Sequence, residues 1–368
     1  MKFNELQKKL EQLVPPALAW KKDNVGVQIG KKNLEIKNIL VALDVTMEVV
    51  REAIAKKANV IITHHPLLFQ PLRTLTSSTR AGEIALLIAE HNITLYAAHT
   101  NLDSVKWGVN FVLAEKLGLR TIEILSPMQE SLTKIVVFVP QTHLESVAQA
   151  MHAAGGGTFT KYEECSFRTD GIGTFKGINN ASPFLGKVGQ REKVNETKLE
   201  MLAETWKIPS VLSAMRRAHP YEEIAYDVYP LSNENTEYGL GAFGTLPHAV
   251  SAKNFLTMIK KKLHVPALRY SGKTKKNITR VAVCGGAGYD LLGDALQHNA
   301  DAFVTADVKY HDFQNAERDI LLIDAGHFET EHHVLPVLAK KISDIVHAEK
   351  NVSKVFITQK NTNPVHYF

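Results

Sequence analysis

Cysteine is nearly absent from this 368-residue chain: there are two, Cys165 and Cys284, far apart in sequence. They form no CxxC pair and no disulfide framework. Zinc-finger and disulfide-scaffold readings therefore fail, and a reducing, cytoplasmic compartment is expected. No run of about 18 apolar residues occurs, so no helix is expected to span a membrane. The opening MKFNELQKKLEQLVPP mixes Lys and Glu with spaced Leu and Val, without the unbroken apolar core of a signal peptide. A strong charge of one sign is also missing. The 43 Lys and Arg against 38 Asp and Glu leave a formal +5, which does not require a nucleic-acid partner. The densest basic run, Lys260, Lys261, Lys262, Arg269, Lys273, Lys275, Lys276 and Arg280, reads as a solvated surface before it reads as a phosphate-binding patch.

What remains is an ordinary globular composition, 45% hydrophobic and 22% charged, in a chain long enough for about two domains. Runs 38–43 (NILVAL), 59–63 (NVIIT) and 93–98 (ITLYAA) are short, apolar and rich in β-branched residues, as buried parallel strands are. Helical spacing lies between them at 46–57 and 80–91. The same alternation returns late, with strands at 280–284, 301–305, 320–324 and 354–358 and helices at 289–298, 310–317 and 332–347. Alternating strand and helix predict an α/β layer with a mostly parallel sheet.

The stretch from 130 to 235 has another texture. Its order is a strand in KIVVFVP, a helix in LESVAQAMHAAG, period-two patterning through TFTKYEECSFRTDGIGTF, a second helix at 197–206 or a little longer, and a closing HPYEEIAYDVYPL. That is the order of a ferredoxin-like α+β domain. The expected architecture is thus a split α/β domain, 1–129 plus 236–368, interrupted by an insert at 130–235.

Three clusters of metal-type ligands each follow an expected strand: His64-His65 after NVIIT, His99 and Asp103 after ITLYAA, and His327 and Glu331 after DILLIDA. Ligands of open α/β sheets gather beyond the carboxyl ends of the strands. Residues 327 and 331 are four apart and share one face of a helix. Four imidazoles and two carboxylates exceed what one tetrahedral ion needs and suit two divalent ions. Mixed nitrogen and oxygen donors favour zinc, iron or manganese over magnesium or calcium, and donor softness alone does not choose among the three; zinc is the first expectation. Two dications would outweigh two carboxylates, acidify water between them and attract anionic substrates.

Smaller candidates surround this set. Gly285, Gly286 and Gly288, in CGGAG after a strand, are candidates to cradle an anion with backbone N–H groups, although the run matches neither Walker A nor GxGxxG. Asp44 and Asp307 are placed to hold an imidazole from behind. His311 is a candidate general base. His219-Pro220-Tyr221-Glu222-Glu223 in the insert reads as structural.

Taken together, DNVGVQIG (Asp23 to Gly30), THHPLLF (Thr63 to Phe69), HTNLD, CGGAG, TADVKYHD and GHFETE resemble the Nif-three-like dinuclear metal-centre family, whose members are often named GTP cyclohydrolase I type 2 homologues. The likeness runs nearly the whole length, and the insert is similar to the PII- and CutA-like domain of the longer bacterial members. Ala306 stands where the family usually has glycine, and Lys21-Lys22 where a tryptophan often precedes DNVG. The resemblance implies His64, His65, His99, Asp103, His327 and Glu331 as ligands of two metal ions. It also implies a homohexamer, a toroid of two stacked trimers. The expected function is that of a metal-dependent hydrolase acting on a nucleotide or another phosphate-containing small molecule. Alternatives are a non-catalytic regulatory hexamer with an effector in the insert, or a ring threading nucleic acid, the last not favoured.

Overall fold

The computed structural model describes residues 1–272, 277–349 and 352–368. Lys273, Lys275 and Lys276 of the basic run lie outside the described residues. The chain divides into two compact units, Met1–Ser126 with Tyr238–Phe368, and Pro127–Glu237.

In the outer unit the apolar runs become strands Asn38–Ala42, Val60–Thr63 and Thr94–Ala97, the last two buried at every position. Strands with no polar alternation need cover on both faces. One face is covered by helices Met47–Ala55 and Arg80–Glu90, whose Val49, Val50, Ala53, Ile84 and Ile88 share a core with Leu40, Ile61 and Leu95. Both helices start on a threonine whose hydroxyl accepts a free backbone N–H: Thr46 from Val49 at 3.3 Å and Thr79 from Gly82 at 3.1 Å. The sheet order is Gly26–Ile29, Thr94–Ala97, Val60–Thr63, Asn38–Ala42, Lys354–Ile357. The last four are parallel and the first is antiparallel. The C-terminal strand therefore completes a sheet begun in the other half of the chain.

The outer unit carries a second sheet where one had been expected. Its order is Arg269–Ser271, Leu321–Asp324, Ala302–Ala306, Asn277–Ala287, Asn235–Ser251, Arg120–Met128. Three central strands run parallel, and those flanking them pair antiparallel. The long strand Asn235–Ser251 is broken by glycines and Pro247 in sequence, which hides its alternation. The fold class of this unit is α/β: both sheets have parallel central strands and carry antiparallel strands as well, while the edge strand Lys354–Ile357 is parallel to its neighbour.

In the insert the order is strand Leu132–Pro140, helix Leu144–Ala153, strands Phe167–Lys176 and Arg191–Glu204, helix Ile208–Ala218 and strand Tyr226–Leu231. The sheet is antiparallel throughout, with Leu132–Pro140 between Arg191–Glu204 and Tyr226–Leu231. This is the ferredoxin-like arrangement. The second helix begins at Ile208, and the stretch expected to be helical at 197–206 is mostly strand. Leu199, Met201 and Ala203 are buried in strict alternation, so pairing with both neighbours overrides the helix propensity of Leu, Glu, Met and Ala. Among the described residues no helix is long and apolar enough to cross a membrane.

Candidate metal centre

Each ligand cluster is placed by the end of a strand. The backbone N–H of His65 donates to Leu43 O at 2.9 Å, and the Thr63 hydroxyl donates to His65 O at 2.8 Å. These bonds bend the chain just past Val60–Thr63. The two adjacent imidazoles then lie 4.9 Å apart, centroid to centroid, and do not point to opposite faces. His99 lies just past the neighbouring strand, at the residue before the short helix Thr100–Asp103, which brings Asp103 round one turn later. In the other sheet Gly326, at φ 86, turns the chain from Leu321–Asp324 into the helix His327–Glu331. A side chain at 326 would also collide with the Glu329 carboxylate.

The clusters converge. The rings of His64, His65 and His99 lie 4.9–5.5 Å apart, and His327 lies 5.2 Å from His65. Two donor sets have all their ligand atoms within 4.8 Å of one another: His64, His65 and His99, and His65, His327 and Glu331. Glu331 Oε2 is 3.0 Å from His65 Nε2 and 3.2 Å from His327 Nε2, and Oε1 is 3.8 Å from His64 Nε2. Asp103 Oδ1 is 3.6 Å from His64 Nε2. The six residues named from sequence are thus gathered in one place, with His65 common to both sets and Glu331 reaching from its own set to His64.

All four imidazoles are held by the same ring nitrogen. Nδ1–H of His64 donates to Ala98 O at 2.8 Å, that of His65 to Asp44 Oδ1 at 2.7 Å, that of His99 to Asp23 Oδ1 at 2.9 Å and that of His327 to Asp307 Oδ2 at 2.6 Å. A carbonyl or carboxylate can only accept, so the proton of the neutral ring sits on Nδ1 and the Nε2 lone pair faces inward. Asp44 and Asp307 stand where the sequence reading put them. Three buried atoms in the cluster, His64 Nε2, Asp103 Oδ1 and Glu331 Oε2, have no hydrogen-bond partner. Leaving such atoms unpaired costs about 1–3 kcal/mol each, and bound cations would satisfy all three. The residues present fit a metal site.

Electrostatics in the metal-free protein points the same way. Burial lowers the pKa of His65, but Asp44 and Glu331 outweigh it and push it up to about 10. His327 is likewise raised, to about 9, by Glu331 and Asp307 against burial. Burial raises Asp103 to about 6, with His64 opposing and Glu331 adding to the rise. Glu331 is also buried, yet the facing imidazoles hold it well below the usual carboxylate range. The cluster is an anion locked among cations that a metal would replace.

Two sequence readings are corrected. The N–H groups of Gly285, Gly286 and Gly288 do not await an anion: they donate to Asn110 Oδ1 at 2.9 Å, Thr330 Oγ1 at 3.0 Å and Thr305 Oγ1 at 2.9 Å. Their role is clearance. At Gly286, φ 61, a Cβ would fall 2.3 Å from Glu331 Oε1 and 3.1 Å from His327 Nε2. His311 does not join the cluster either. It is exposed on the helix Tyr310–Ala316, with Nδ1 3.4 Å from Gln314 Oε1 and its ring against Tyr310.

Three supporting residues escaped the sequence reading. Asp23 holds His99 and also accepts the Thr100 N–H at 3.1 Å. Asn110, buried, accepts from Gly285 and donates to Asp103 O at 2.9 Å, joining the two sheets' ends. The Thr362 hydroxyl donates to Asp44 Oδ2 at 2.7 Å from the C-terminal tail. Asp23, in DNVG, carried the only signal: an acidic residue inside a motif already singled out.

Known proteins share this arrangement of chain. The model of the family described as Duf34/NIF3 (NGG1p interacting factor 3) matches residues 1–364. A protein of Halalkalibacterium halodurans named GTP cyclohydrolase 1 type 2 homolog is 41% identical over 356 residues, 96% of this chain and 95% of that protein. Its namesake in Bacillus subtilis is 38% identical over the same shares. The crystal structure of a Bacillus cereus protein related to NIF3 superposes with a TM-score of 0.86 at 38% identity, covering 100% of this chain and 99% of that one.

Proposed function

This chain belongs to the Duf34/NIF3 family, and from that premise and the geometry of its cluster we propose that it binds two divalent metal ions, zinc by preference, and works as a metal-dependent hydrolase on a phosphate-bearing small molecule. The observation that carries the reading is the shared orientation of four imidazoles, each fixed through Nδ1 with Nε2 turned toward the others. Two ions would each draw on about three donors: His64, His99 and Asp103 on one side, His65 and His327 on the other, and Glu331 reaching both. When bound, such a pair supplies an activated water and a positive field for an anionic substrate. Asp23, Asp44 and Asp307 fix ring orientation and raise the basicity of the donors. Gly286 keeps the approach to Glu331 and His327 clear.

The relatives' name, GTP cyclohydrolase 1 type 2 homolog, points within this class to purine nucleotides. Assembly as a homohexamer belongs to the same reading. The test is turnover of a nucleotide panel, GTP included, by zinc-, manganese- and iron-loaded protein. At least one nucleotide is expected to be hydrolysed, and His65→Ala is expected to abolish turnover and lower metal content together. Turnover that survives in a metal-depleted His65→Ala protein would exclude a metal mechanism. A second reading, a regulatory metal protein with its effector in the insert, is favoured by a cavity in that unit.

A further inference from the structure

The insert contains a cavity of about 1150 Å³ that the metal cluster does not use. One wall is the strand Phe167–Lys176 with the loop that follows it, and another is the segment that read as structural from sequence, His219-Pro220-Tyr221-Glu222-Glu223. His219 fixes that segment: Nε2–H donates to Phe138 O at 3.0 Å and Nδ1 accepts the Tyr221 N–H at 3.1 Å. With both ring nitrogens engaged, His219 is a latch. Glu222 Oε1 accepts the Ser182 N–H at 2.8 Å and ties the loop to the rim.

The lining has two chemical features. The first is aromatic. Phe138, Phe175, Phe184 and Tyr221 face the space, and Phe175 and Phe184 each lie 6.3 Å from Tyr221, centroid to centroid. The second is a buried carboxylate. Glu196 is 9% exposed and accepts the Tyr221 hydroxyl on Oε1 at 2.9 Å. Gly173, on the neighbouring strand, makes room for it, since a Cβ there would lie 2.0 Å from Glu196 Oε2. The other ionisable lining groups are Asp170, Glu222 and Glu223 against Lys176 and Lys198. Lys198 is committed to Glu200 at 3.1 Å. The balance is negative, so a phosphate or carboxylate ligand is disfavoured. A flat ring carrying a positive charge would stack on the aromatic faces and set its charge against Glu196.

We propose that this cavity binds a small organic cation bearing an aromatic ring. The assignment gives chemistry to the effector of the second reading and is independent of the metal cluster, so either can fail alone. The test is calorimetric titration of the full-length protein with three probes that share one ring and differ in charge: tryptamine, indole and indole-3-acetate. Tryptamine is expected to bind saturably and at least about tenfold more tightly than the other two. Glu196→Gln is expected to remove most of that preference. Phe184→Ala, at a half-exposed loop position that does not threaten folding, is expected to weaken tryptamine and indole alike. Failure of tryptamine to bind at millimolar concentration would overturn the proposal. So would indole-3-acetate binding as tightly as tryptamine, or binding unchanged in Phe184→Ala.

Discussion

At the scale of single residues, the metal-free cluster is an arrangement of opposed charges with a definite pH signature. His65 and His327, raised to about 10 and about 9, carry protons at neutral pH. A cation can take their Nε2 lone pairs only by expelling those protons. Metal uptake at pH 7 is therefore expected to acidify a weakly buffered solution, and affinity is expected to rise as pH is raised toward about 9–10. Below about 6 the Asp103 carboxyl also protonates, and affinity should fall more steeply. Stability of the chelated protein runs the opposite way. A histidine raised above its unfolded value of 6.5 contributes fully below that value and loses its contribution as pH climbs through the folded one. Thermal melts of chelated protein from pH 7 to 10 should show Tm falling, with no matching fall in metal-loaded protein. A rise in Tm of the chelated form over that window would contradict the charge assignment. The six converging residues were legible because each lies just past an apolar run, where the strand must end and the side chains turn out. Asp23 was not, because it precedes the first strand of its sheet and meets His99 only through the tertiary fold. The glycines at 285, 286 and 288 were read for their donors, while the fold uses their missing side chains.

At the scale of elements, buried parallel strands announced themselves by composition, and the helices between them by spacing. The failure at 197–206 shows where such reading stops. LEMLAE contains strong helix formers, and only the partners on either side decide that it extends. On a helix Leu199 and Ala203 would share a face and Met201 would lie nearly opposite. In the strand all three point inward, with Leu199 and Met201 each no more than 1% exposed. Met201→Ala is thus expected to cost about 2–5 kcal/mol, as much as Leu199→Ala. Lys198→Ala should change stability by about 0.5 kcal/mol or less. Urea denaturation followed by a probe in the insert would decide it, and a neutral Met201→Ala would argue for the helix. The strand Asn235–Ser251 was missed for another reason: glycine and proline interrupt its alternation, and its frame is set by antiparallel pairing with Asn277–Ala287.

At the scale of the whole molecule, the centre exists only when distant parts of the chain meet. His64, His65, His99 and Asp103 come from the part before the insert, and His327 and Glu331 from the part after it. Lys354–Ile357 pairs with Asn38–Ala42 across the same divide, and Asn110 links Asp103 to Gly285. Sequence could show that the halves must join, and it could not show that they do so through two sheets. The most direct measurement is the metal content of each chain after loading with zinc and exhaustive dialysis, for the native protein and for Glu331→Gln. Two ions per native chain are expected, with fewer in Glu331→Gln because that carboxylate reaches donors of both sets, His65 and His327 through Oε2 and His64 through Oε1. A native chain that retains no metal, or a Glu331→Gln chain that retains as much as the native one, would contradict a shared dinuclear centre.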